Sequence, residues 1–180
     1  MSEQLTSPSP VAVLDVLNSL LEAELASVFR FMGEGSPYLS RATAEVRRPL
    51  AEMVEAANVR ASEIADMIDT LGGSPPPHHA ISSEEQYLAF LSLKFLLPKL
   101  VTEKELCIAR YRNALEKVRT LPQVPPQVVA MLEGHVQEIT GELASLERAA
   151  AHVAANKDGK DPSQPAAGTK KASDAGQHAG

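Results

Sequence analysis

Apolar positions recur at spacings of three and four along four stretches of this chain, and glycine or proline punctuates the gaps between them. In the first stretch, residues 17–32 (LNSLLEAELASVFRFM), Leu17, Leu21, Val28 and Phe31 form one stripe of helical period. Pro10 suits the first turn of that helix, Ser9 its cap, and the helix is predicted to end near Met32, before Gly33, Gly35 and Pro37. A second stripe runs Leu50, Val54, Ala57, Ala61, Ile64, Ile68, Leu71, which predicts a helix from about Tyr38 to Leu71. Pro49 marks either a kink in it or a true start near residue 50. Gly72 and Gly73 end it as C-cap residues, and Pro75, Pro76 and Pro77 prevent continuation.

A third helix is predicted from Ser82 or Ser83, as cap, with Glu84 and Glu85 in its first turn, to about Arg119, kinked at Pro98. Its first half, Tyr87 to Leu97, is apolar nearly all round, so the bundle or a partner subunit must cover it. The fourth, Pro126 to Ala155, carries Val128, Leu132, His135, Ile139, Leu146, Ala150 and Val153 on one stripe. Four long helices predict an all-α chain, an antiparallel four-helix bundle over residues 10–155. Up-down-up-down is the simple topology, and one long crossover between helices two and three is the other. Residues 1–9 and 156–180 are too polar to bury a core and are expected to be disordered.

Composition narrows the function. Aromatics are scarce (4%), so the core is built of Leu, Val, Ile and Ala. The net charge is −6 and no basic face is evident, which argues against a nucleic-acid partner. The most apolar run, residues 89–101, contains Lys94, Pro98 and Lys99 and is too short and too charged to span a membrane. The single cysteine, Cys107, forms no internal disulfide and fits a reducing compartment. With neither a basic leader nor an apolar signal core at the N-terminus, a cytoplasmic location is expected.

Polar groups on apolar stripes mark the candidate chemistry. Glu24 interrupts the first stripe and His135 the fourth. Glu103 shares a stripe with Leu96, Leu100 and Cys107, and Glu138 stands three residues after His135, on neighbouring ground. A carboxylate facing a core is costly unless something pairs with it. Carboxylates and an imidazole converging from several helices suit iron, manganese or zinc, which makes Glu24, Glu103, His135 and Glu138 candidate metal ligands. The plainer readings stand beside this one. A core histidine commonly hydrogen-bonds a neighbouring helix and binds nothing. Glu24 can pair with Arg60 or Lys104, Cys107 can be a small core residue, and Tyr111 can simply pack.

LNSLLEAEL in the first helix, IDTLGGSPP at the end of the second and MLEGHVQEITGEL in the fourth resemble the ferritin-like superfamily, its bacterioferritin and rubrerythrin side in particular. The resemblance spans residues 11–153. It implies a di-metal centre that takes a Glu from each of two helices and a Glu-x-x-His pair from each of the others. Glu24 stands at the first-helix position. Counting back from LGG, the second-helix pair falls on Ala57 and Arg60, neither of them a ligand. In the fourth helix His135 takes the histidine position, but Leu132 stands where its glutamate belongs. The third-helix ligand falls on Glu103 or Glu105. At most three of the six ligands remain, so the expectation is a ferritin-like protein with a reduced or lost site, with at most weak iron or manganese binding or none. The competing expectations are an active di-iron oxidoreductase or iron-handling protein, and a metal-free scaffold. A homodimer is expected through the apolar start of the third helix. The non-helical tail does not fit a closed ferritin shell.

Overall fold

The structure, a computed structural model, describes residues 10–29, 32, 44–77 and 91–155. Four long helices account for most of them: α1 (Pro10–Leu25), α2 (Ala44–Thr70), α3 (Leu93–Thr120) and α4 (Pro126–Ala155). No strand occurs among the described residues.

The first helix is shorter than its stripe predicts. Ala26 N–H still donates to Glu22 O, but Ser27 N–H turns to Glu24 O, three residues back. Ser27 Oγ then accepts from Phe29 N–H (3.3 Å), and a new helical segment takes up Val28 and Phe29. A serine hydroxyl that offers the backbone a local partner favours such a break. Phe31 and the predicted beginning of the second helix at residues 38–43 lie outside the described residues.

α2 begins before Pro49, at Ala44, and runs through the proline. Val46 and Leu50, both fully buried, anchor the turn that loses the proline's hydrogen bond. At its end Gly72 adopts φ +76°. Its N–H donates to Asp69 O, and Gly73 N–H donates to Ile68 O, the paired bonds of a Schellman motif. A Cβ on Gly73 would meet Leu14 Cδ2 at 2.6 Å, so the α2 terminus packs closely on the start of α1. α3 begins at Leu93, preceded by the extended cap residue Ser92 (φ −64°, ψ 152°), so the predicted helix from residues 82–83 does not run on unbroken. Ser82 to Glu85 themselves lie outside the described residues. α4 matches its predicted bounds.

Each helix packs against two others: α1 against α2 and α3, and α4 against α2 and α3. The first two and the last two are therefore adjacent pairs, with α2 and α3 on a diagonal. α2 and α3 both begin at the same end, where Val46, Leu50, Leu93 and Leu96 share a core with Phe29 and Met32. The other end gathers the start of α1 (Val13, Leu17), the end of α2 (Ile68), the end of α3 (Val118) and the start of α4 (Val128, Leu132). α2 is about 40 Å long at 1.5 Å per residue. The chain between Thr70 and Leu93 must cover that length, so the topology is the long crossover and not up-down-up-down. No helix of the described residues is long and apolar enough to cross a membrane.

Candidate functional site

The core is two apolar halves with a polar layer between them. One half ends at Leu25, Ala61, Ile108 and Ile139, and the other begins at Val28, Ala57, Leu100 and Leu146. Arg60 (α2), Lys104 (α3) and Glu142 (α4) lie between these positions, and Glu24 (α1) joins them from the residue just before Leu25. Helical period dictates this, because each lies three or four residues from an apolar core position on its own helix. Arg60 and Lys104 are each 1% exposed, and Glu24 is 4% exposed.

Arg60 is the hub. Its Nη1 donates to Glu142 Oε1 at 2.7 Å and to Glu138 Oε2 at 3.1 Å, and its Nη2 donates to Glu142 Oε2 at 3.4 Å. Its Nε stands 3.6 Å from Glu24 Oε1, an ion-pair distance but not a hydrogen bond. Lys104 Nζ donates to Glu142 Oε2 at 2.6 Å and lies 3.7 Å above the centre of the Phe29 ring. Glu24 Oε1 also accepts from the Tyr111 hydroxyl (2.8 Å) and from the Cys107 thiol (3.7 Å). Charge-assisted bonds of this kind are among the stronger ones available to a side chain.

Burial works against the Arg60 charge, but Glu142, Glu24 and Glu138 more than offset it, and its pKa is held above the ordinary guanidinium range. Burial, reinforced by the Glu24 carboxylate, raises the Tyr111 phenol and pushes the Cys107 thiol up to about 12. Both remain protonated donors at neutral pH. A thiol in this state is a poor nucleophile and a poor metal ligand.

The four candidate ligands do not converge. Glu24 and Glu138 approach the same guanidinium, at Nε and Nη1 respectively. His135 is buried one turn away. Its Nε2 lies 2.7 Å from Glu63 Oε2 on α2, and its ring meets Tyr111 edge to face at 5.6 Å. Glu103 is half-buried on the wall of a cavity that Glu24 also lines. Among the described residues no group of three or more His, Cys, Asp or Glu side chains is arranged to hold a metal ion. The chemistry of the layer points the same way. A divalent cation there would face two fixed cations and compete with them for the same carboxylates. The residues present therefore do not fit a di-metal centre.

Two members of the layer carried little weight in the sequence. Glu142 fills the register gap between Ile139 and Leu146 on the α4 stripe, and that gap was its signal. Lys104 and Glu103 follow Leu100 by four and three residues. Either spacing is helical, and the phase set by Leu93, Leu97, Leu100, Ile108 and Tyr111 selects Lys104.

The chain matches no protein-family model and no curated protein. Among solved structures it is similar to the bacterioferritin of Desulfovibrio desulfuricans, seen by X-ray with its diiron site in the "cycled" state, reduced in solution and allowed to reoxidise before crystallisation. The TM-score is 0.67 at 16% sequence identity, over 80% of this chain and 81% of that one. With its four helices and the shared architecture, this chain has the ferritin-like four-helix fold.

Proposed function

We propose that this chain is a ferritin-like bundle whose di-metal site is lost, with a buried ion-pair network at its centre, and that it works as a metal-free scaffold or binding module. The observation that carries this reading is the pair of buried cations, Arg60 and Lys104, sharing the Glu142 carboxylate. They supply the positive charge that neutralises buried carboxylates and ties helices together. The competing reading, a di-iron oxidoreductase, draws on the diiron site of the D. desulfuricans protein. Its support within this chain is Glu24 and His135 at the positions the resemblance assigns. Phe95, 63% exposed near the start of α3, supports a homodimer through that face, which analytical ultracentrifugation tests directly.

The deciding experiment is elemental mass spectrometry on protein loaded anaerobically with ferrous iron and desalted, beside a Glu24→Ala, His135→Ala double variant. Sub-stoichiometric iron in wild type is the expected result. Stoichiometric iron in wild type that disappears in the variant would sink the metal-free reading.

A further inference from the structure

The outer face of α3 carries a second periodic line. Phe95, Lys99, Thr102, Leu106, Ala109 and Asn113 follow one another at alternating steps of four and three, and Glu116 and Thr120 continue the series. That is the spacing that lets one helix lie along another. All of these positions are exposed, on the side of α3 opposite the buried Leu97, Lys104, Ile108 and Tyr111. Among the described residues four large apolar side chains are exposed, and two of them stand on this line: Phe95 at 63% and Leu106 at 46%. The Thr102 hydroxyl already donates to Pro98 O at 3.3 Å, which leaves its methyl group to face outward.

The charges beside this line specify what covers it. Glu103 and Glu105 precede its midpoint, between Cys107 and Ile108, and Arg110 and Arg112 follow at mirrored positions. Glu103 and Arg110 lie on the flank toward α1, and Glu105 and Arg112 on the other flank. None of these four, nor Lys99 or Glu116, forms an ion pair among the described residues.

An antiparallel copy of α3, related by a two-fold axis at that midpoint, answers each of them. Leu106 comes against the partner's Ala109, Thr102 against the partner's Asn113, and Lys99 against the partner's Glu116. On the flanks Glu103 meets the partner's Arg110, and Glu105 meets the partner's Arg112. Every contact occurs twice, as a two-fold interface requires. The other cations of α3 meet no like charge. Lys94 and Lys117 come opposite the partner's Leu121 and the partner's Pro98, and Arg119 is held by Glu133. Other arrangements fail on charge. A parallel pair sets Lys99 on Lys99 and Glu116 on Glu116. Sliding the antiparallel pair by one heptad brings Glu103 and Glu105, or Arg110 and Arg112, onto their own copies. Like charges opposed across an interface are strongly unfavourable.

We propose that two copies of this chain pair through α3, antiparallel and centred between Cys107 and Ile108, with the register set by Glu103–Arg110 and Glu105–Arg112 pairs between subunits. This rests on the homodimer reading above and adds its geometry. It does not depend on metal content.

The test is analytical ultracentrifugation of the full-length chain over a concentration series. Wild type is expected to be a reversible dimer. Glu103→Arg with Glu105→Arg opposes like charges on both flanks and is expected to weaken the dimer by about tenfold or more. Lys99→Glu, a single change at an exposed position, faces the partner's Glu116 and is expected to weaken it too. Adding Arg110→Glu and Arg112→Glu to the first variant reverses every flanking pair, keeps the net charge of wild type and is expected to restore the dimer. Circular dichroism checks that each variant is as helical as wild type. A monomeric wild type overturns the homodimer reading and this interface together. A dimer that ignores the reversals, or that the fourfold change does not restore, overturns this interface and leaves the homodimer reading in place.

Discussion

Arg60 Nη1 stands 2.7 Å from Glu142 Oε1, joining α2 to α4 across the middle of the bundle. Glu142 Oε2 in turn accepts from Lys104 of α3 at 2.6 Å. One carboxylate therefore bonds two buried cations on two other helices. Forming such a network from solvated ions is costly and its net contribution to stability is small, but removing Glu142 takes from buried Lys104 the carboxylate it bonds and leaves Arg60 with only Glu24 and Glu138.

Glu142→Ala is expected to destabilise the fold by about 3–5 kcal/mol, read as a lower midpoint in urea unfolding. In a double-mutant cycle, Arg60→Met and Glu142→Ala should couple by about 0.5–3 kcal/mol. Strict additivity of the two would mean that they do not interact.

Tyr111→Phe removes the hydroxyl that donates to Glu24 at 2.8 Å and keeps the ring against His135. A hydrogen bond to a charged group is worth about 1.5–3 kcal/mol, and the unfolding free energy should drop by that much. An unchanged midpoint would show that Glu24 does not depend on the hydroxyl.

Stability should fall on the alkaline side. The Cys107 thiol rises from 9.0 to about 12 on folding, and the Tyr111 phenol rises above 10.0. Below about pH 9 both are protonated folded and unfolded and contribute no slope. Above it the unfolded chain releases these protons first, so it binds fewer than the folded one and stability declines with pH. Urea midpoints measured from pH 8 to pH 11 check this, and Cys107→Ala should make the decline shallower.

Gly72→Ala puts a side chain on a residue at φ +76°, where no other atom crowds it. The cost is therefore the left-handed backbone alone, about 1–2 kcal/mol, visible as a lowered Tm. It should leave the chemical shifts of the polar layer, about 18 Å away along α2 at about 1.5 Å per residue, unchanged.

The sequence by itself determined the parts of this protein that are local. Helical period and glycine and proline punctuation placed four helices, set the bounds of α4, and put the end of α2 at Gly72 and Gly73. The stripes also exposed Glu24 and His135 as residues a core must accommodate, and Arg60 was legible as a possible partner for Glu24. It could not fix phase where three- and four-residue spacings compete, which is why Glu103 stood where the core holds Lys104. Nor could it see the break at Ser27, where a side-chain hydroxyl replaces one backbone bond. Only the tertiary structure decided the order of helices around the bundle, because α2 and α3 are neighbours in the chain and diagonal in space. That order brings Arg60 to Glu142 and Glu63 to His135, partners 82 and 72 residues away. The pairing of buried charges depends on which helices touch, and the stripe of any one helix carries no record of its neighbour.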